Sequence, residues 1–418
     1  MNGLSSLRHA RRRTTIGIGL AIAALVGFGA YNTIASDTED AAIDVDFVLG
    51  GGGKAIGAGD ADTLAIHGRY RGLASAPDGT IYLFTQEDRQ MVMWRKPKSG
   101  IAERIPISGM NEQHAAQAAV AADGSVYLAA GDLWKVSRKG KASKIVDTDC
   151  ADAKLSPIAK RAADLCVSQV TGVTVTEHGA IYIGDEITWK KHGSYVHRLD
   201  GDAVELIAGR PPKDGESLKR SNPAVRNAIN PTPGVAGKDV LVPDVWNSGW
   251  LSADGDALYW RTGPGIVRIN TDGTLSPFVG AKAPKDIKEP GRPFEAIGRA
   301  LDAEIAPSTG DSQQGDVATV PKRAEVYYSD AGKIYRPPFS AEYDWNSIKT
   351  DSQQEFMDHL VGGKAVYRVT SGEISPALVG VQAISASKEQ LYIAAESRIG
   401  DTDSPESWST AVLQLHLP

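Results

Sequence analysis

Cys150 and Cys166 are the only thiols of this 418-residue chain, sixteen positions apart. Neither has a second Cys or a His at a zinc-type spacing, which disfavours a metal site. In an oxidising compartment they would join as a disulfide across a short helical excursion; the alternative is two unpaired small hydrophobes. No Gly-x-Ser-x-Gly, His-Glu-x-x-His, EF-hand or phosphate-loop pattern occurs. The run Gly50-Gly-Gly-Gly53 lacks the Gly-Lys-Ser/Thr and the helix that a phosphate cradle needs, so it reads as a connection. The histidines are scattered: His67 and His114 fall in long connections, His178 in a tight turn and His416 in the last strand, none with a ligand partner at recognisable spacing. Trp189, Trp246, Trp250, Trp345 and Trp408 fall in connections, where they either anchor a sugar or protein partner or pack in the core. Trp94, Trp134 and Trp260 sit in strands and read as packing.

The elements that must position these residues are written as a repeat. Gly72-Leu-Ala-Ser-Ala-Pro-Asp-Gly-Thr-Ile-Tyr82 is echoed by Gln117-Ala-Ala-Val-Ala-Ala-Asp-Gly-Ser-Val-Tyr127 and by Gly172-Val-Thr-Val-Thr-Glu-His-Gly-Ala-Ile-Tyr182. Further copies run from Ser248 to Tyr259, Val317 to Tyr327 and Gln382 to Tyr392. Each predicts a strand of small and β-branched residues, a tight turn, and a second strand carrying a Tyr. A second hairpin follows, as in Leu133-Trp-Lys-Val-Ser137 with Ala142-Ser-Lys-Ile-Val146. Four antiparallel strands repeated radially predict an all-β, six-bladed β-propeller. The stretch Asp44 to Gly50 is a lone strand and the C-terminal copy has only three, so pairing of the two ends is expected to close the ring.

The copies resemble the NHL repeat, through Ile181-Tyr-Ile-Gly-Asp185, Val204-Glu-Leu-Ile-Ala-Gly209 and Gly265-Ile-Val-Arg-Ile269. The resemblance covers about residues 44 to 418 and weakens in the last two copies, which lack the turn glycine. It implies a fold and no single activity. Some similar propellers are metal-dependent lactonases or lyases that gather carboxylates, Asn or His at the inner strand openings. The corresponding residues here are Gly72, Gln117, Gly172, Ser248, Val317 and Gln382, preceded by Arg71, Ala116, Thr171, Asn247, Asp316 and Val381. Asp316 is the one carboxylate among them, which disfavours a central hard cation. Asp185 and Asp330 fall where the NHL pattern puts an Asp that serves a hairpin hydrogen bond.

Connection lengths separate two faces. Turns such as Pro77 to Gly79, Ala122 to Gly124 and Asp272-Gly273 are short, whereas residues 51–70, 148–169, 210–246, 281–316, 332–363 and 396–409 are long and are expected together on the other face. Long loops on one side of a repeat array build a binding surface or cap the core. The candidate ligand-binding residues at that axial face are Trp246, Trp250, Asn247, Arg71, Gln117, Asp316, Gln382 and Trp189.

Residues 1–36 differ from the rest. Arg8, Arg11, Arg12 and Arg13 precede an uncharged run from Thr14 to Ser36. This predicts either a membrane-spanning anchor over residues 14–35 with the remainder outside the cytoplasmic membrane, or a signal cleaved after Ala35. Without the four arginines, residues 37–418 hold 41 Lys+Arg against 51 Asp+Glu, a charge of −10, which opposes nucleic-acid binding. The sequence thus predicts an extracytoplasmic propeller over residues 37–418 that binds or scaffolds an envelope protein or glycan and needs no cofactor. The alternative is a lyase or lactonase-type enzyme working at the axial pocket.

Overall fold

Asp78, Asp123 and Asp272 each accept the backbone N–H two residues ahead, from Thr80 at 2.8 Å, Ser125 at 2.8 Å and Thr274 at 2.9 Å. The glycine between donor and acceptor takes a left-handed φ, +84° at Gly79 and +75° at Gly124, which a side chain would strain. These turns reverse the chain after each short apolar run and so fix hairpins as the unit of the fold.

The computed structural model describes residues 45–52, 60–110, 117–150, 155–187, 193–219, 221–243, 249–263, 265–280, 298–299, 317–320, 325–330, 360–361, 364–370, 373–387, 390–398 and 408–415. Strand β1 (Val45–Gly50) is followed by four sheets built from consecutive strands. The first holds β2 (Arg69–Ser75), β3 (Ile81–Glu87), β4 (Gln90–Lys96) and β5 (Glu103–Pro106). The second holds β6 (Gln117–Val120), β7 (Val126–Ala130), β8 (Asp132–Val136) and β9 (Ala142–Val146). In the third are β10 (Gln169–Val175), β11 (Ile181–Ile187), β12 (Gly193–Asp200) and β13 (Ala203–Ala208). The fourth contains β14 (Leu251–Asp254), β15 (Ala257–Arg261), β16 (Ile266–Ile269) and β17 (Leu275–Val279).

The other two sheets of the described residues are less regular. One runs β18 (Gly298–Arg299), β23 (Glu373–Val381), β22 (Lys364–Thr370), β20 (Glu325–Asp330), β19 (Val317–Val320). The other joins β24 (Ala383–Ala386), β25 (Leu391–Arg398), β26 (Trp408–Leu415) and β1, with β21 (Leu360–Val361) against the end of β25. Strand β1 lies antiparallel to β26 from Val45 opposite Leu415 to Gly50 opposite Ala411. The innermost strands touch in sequence, β2 to β6 to β10 to β14 to β19 to β24 and back to β2. The fold is an all-β propeller.

Its core lies between successive sheets. Tyr82, Phe84, Met91 and Met93 of the first sheet pack with Val126, Leu128, Trp134 and Val136 of the second. Tyr127 enters the next interface with Val170, Val173 and Ile183, and Tyr392 packs beside Tyr70, Leu73 and Leu83. The recurrent Tyr is therefore an interface residue of neighbouring sheets, and burial pushes the phenols of Tyr82 and Tyr392 upward in pKa.

Two features depart from the sequence reading. The long connections do not all stay on one face: Lys160 and Ala162 bond backbone to backbone with Val204 and Asp202, and Gly237 with Gly273, beside the outer short turn of the following sheet. The insertions thus descend the outer groove between sheets, where their backbone finds partners. The 210–243 stretch also contains a short helix, α1 (Pro223–Asn227), capped by Asn222 Oδ1 at 3.0 Å from Ala224 N. Its Val225, with Ile229 and Leu241, joins Leu258 and Trp260 in the core. Among the described residues no helix is long and apolar enough to cross a membrane, and residues 14–35 lie outside them.

Candidate functional site

Among the described residues each inner strand has one partner strand within its sheet, so its other edge turns peptide groups toward the axis. Gln117, the first residue of β6 and 6% exposed, caps those edges at the long-connection end. Its Oε1 accepts from Val173 N at 2.9 Å and from Leu251 N at 3.1 Å, and its Nε2 donates to the Leu251 carbonyl at 2.8 Å. The sequence reading placed Gln117 among ligand-binding residues; its amide cross-links three inner strands. Ser252 Oγ acts similarly on β19, accepting from Thr319 N at 3.0 Å.

Beside Gln117 the backbone is packed through glycines. The carbonyl of Gly249 lies so close to Gly172 and Gly184 that a Cβ on either would fall 2.0 or 1.8 Å from it. Trp250, the next residue, is 5% exposed and packed inward.

Arg71, at the bulge of β2, is half-buried. Its Nε and Nη2 donate to Gln86 Oε1, the former at 3.0 Å, and Nη1 donates to the Tyr70 carbonyl at 3.1 Å. Burial is the main influence depressing its pKa and Arg69 adds to it, while Glu396 opposes. Glu396, buried, accepts from Tyr70 N and so joins the last sheet to the first. Arg69 lies 4.6 Å over the Trp408 ring. Gln382, half-buried, donates its backbone N–H to Ala394 at 2.8 Å. Arg71, Gln117, Trp250 and Gln382 thus all stand near the openings of inner strands; Trp189, Trp246, Asn247 and Asp316 lie outside the described residues.

Cys150 and Cys166 form a disulfide with their Cα atoms 6.0 Å apart. It closes the connection that carries the 3-10 turn Ala162–Asp164, where the sequence predicts a short helical excursion. Closing such a loop contributes about 3 kcal/mol.

The same connection is held by a pair of which the sequence reading gave Asp185 a hairpin hydrogen bond and left its partner, His197, unassigned. His197 on β12 and Asp185 on β11 are fully buried, with Nδ1 2.5 Å from Asp185 Oδ2 and Nε2 2.6 Å from the Pro157 carbonyl. A carbonyl only accepts, so Nε2 carries a proton, and a second proton lies between Nδ1 and the carboxylate. Burial opposes a charged ring, but the charge and hydrogen bond of Asp185, with Pro157, hold His197 above its usual pKa. The signal available in the sequence was an acidic residue after the repeat Tyr with a His in the next strand, visible only once the β11–β12 register is drawn. Fully buried and bonded to the Pro157 carbonyl, this pair positions the connection. Among the described residues no three His, Cys, Asp or Glu side chains are grouped to hold a metal ion.

No family model matches the chain, and no curated protein matches it. Among solved structures it is similar to a gluconolactonase from Xanthomonas campestris, at 11% identity over 90% of this chain and 91% of that one with a TM-score of 0.42. Virginiamycin B lyase from Staphylococcus aureus is similar at 12% identity, 84% and 95% coverage and TM-score 0.38. Regucalcin from Agrobacterium tumefaciens is similar at 11% identity, 83% and 90% coverage and TM-score 0.41. No residue role or activity passes from these proteins to this chain.

Proposed function

We propose that this chain is an extracytoplasmic, six-bladed, NHL-like propeller, tethered or exported through residues 14–35, that binds or scaffolds a protein or glycan of the cell envelope. The disulfide supports the compartment, because such bonds persist where thiols are not kept reduced. The observation that carries the binding role is the ordered set Arg69, Arg71, Gln86 and Trp408 near the opening of β2. Two guanidinium groups held by an amide, a carbonyl and an indole face form a rigid cationic anchor on a domain whose net charge is negative, which suits an acidic group on the partner. Trp246, Asn247, Asp316, Trp189 and Gln382 are the further contacts this reading assigns to the same side.

The test is photo-cross-linking of the full chain in intact envelopes. Arg69→Ala with Arg71→Ala should cut partner capture about tenfold or more at unchanged melting temperature. Unchanged capture by the double variant would count against the reading. A stoichiometric metal removed by EDTA, together with turnover of a lactone, would establish the enzyme alternative in its place.

A further inference from the structure

Below the Gln117 cross-link, the axis widens into a cavity of ≈ 180 Å³ walled by the inner strands of all six sheets. Its outer rim is formed by Pro77, Ala122, Glu177, Gly255 and Ser387, which lie in or beside the turns after the inner strands. The cavity therefore opens on the short-turn face, opposite the proposed partner surface. Alanines, among them Ala119 and Ala253, keep it from being filled. Its polar groups are the strand edges, the Gln117 amide at its closed end and hydroxyls. Ser75 and Ser385 meet across adjacent sheets at 2.9 Å, Ser252 lies 3.3 Å from Thr319, and Thr174 and Thr176 complete the lining. Among the described residues that line it, Glu177, exposed at the rim, is the one ionisable side chain.

The lining selects a chemical class. A charged molecule would lose its hydration with no counter-charge among the described inner-strand residues, which is costly. An apolar one would cover peptide groups and hydroxyls without bonding them, at the desolvation penalty of each. What replaces water here without loss is a molecule that alternates donors and acceptors around a small uncharged frame. We infer that the axial cavity is a binding site for a small neutral polyhydroxylated ligand, a single sugar or cyclitol ring, entered from the short-turn face.

The experiment is saturation-transfer NMR and titration calorimetry on the full chain in a sugar-free zwitterionic detergent, with D-glucose, N-acetyl-D-glucosamine, myo-inositol and D-glucuronate as probes. At least one neutral probe should bind, and glucuronate should bind about tenfold or more weakly than glucose. Thr174→Val with Ser385→Ala should weaken the neutral probe about tenfold or more. Arg69→Ala with Arg71→Ala should leave it unchanged, which separates this site from the partner surface. If the hydroxyl variant does not fold, Ala122→Trp at the exposed rim should obstruct entry without touching the core. The inference is overturned if no neutral probe binds at millimolar concentration, if glucuronate binds as well as glucose, or if the rim substitution leaves binding intact.

Discussion

The two protons shared by His197, Asp185 and the Pro157 carbonyl make a buried group of no net charge, so its free energy depends on pH through the histidine. The folded ring keeps its proton above the usual value of 6.5, held there against burial by Asp185 and Pro157. A raised folded pKa gives a stabilisation that is complete below the unfolded value and is lost as pH rises through the folded one. Burial also raises the Asp185 carboxyl, so the reference must remove both groups: the melting temperature of the wild type, less that of His197→Ala with Asp185→Asn, should be largest at about pH 6 and shrink on the alkaline side. A difference constant from about pH 6 to about pH 9 would refute the assignment of the protons. His197→Ala itself should cost about 3–5 kcal/mol, because it leaves a carboxylate buried alone. Denaturant titration at neutral pH measures that loss.

Strands β10 and β11 show why an element can be dictated by what crosses it. Gly172 and Gly184 sit on adjacent strands, and between them lies the carbonyl of Gly249, whose own φ of +129° suits glycine. A methyl group on β11 at Gly184 would meet that oxygen at 1.8 Å, and both sides of the contact are backbone. Gly184→Ala should thus displace the segment leading into β14 and destabilise the protein by about 1–3 kcal/mol or more. Gly201→Ala is a control that separates steric contact from conformation: its φ is +58° but nothing lies within 4 Å of its Cβ, so only backbone strain is added. Equal losses in the two variants, measured by thermal unfolding, would show that the Gly249 contact is not what makes Gly184 necessary.

For the whole molecule, the ring of inner strands is continuous from β2 to β24, and the sheet that joins its ends takes its edge from β1. Removing residues 37–50 would uncover β26 and take away Leu49, which is fully buried in one cluster with Leu64 and Ile66, leaving those two side chains exposed. An uncovered strand edge and lost apolar contact together should cost several kcal/mol and promote association through the free edge. Calorimetry and size-exclusion chromatography of the truncated chain test this. A melting temperature within a degree or two of the parent would mean that β1 contributes little to closure.

The amino-acid sequence determined the features governed by near neighbours. Alternating small and β-branched residues, an Asp-Gly turn and a following Tyr define hairpins within about ten residues, and four such strands per repeat leave a propeller as the economical way to bury them. The isolation of Cys150 and Cys166 in one connection likewise made their pairing legible. The tertiary structure alone decided how side chains far apart in the chain meet. Gln117 bonds Val173 and Leu251 at separations of 56 and 134 residues, Glu396 reaches Tyr70 across 326, and the connections run down the grooves between sheets. No periodicity encodes those meetings, because they follow from the twist of each sheet and the angle at which the next one packs. That is why neither the Gln117 cross-link nor the contact of His197 with Asp185 was legible before the fold.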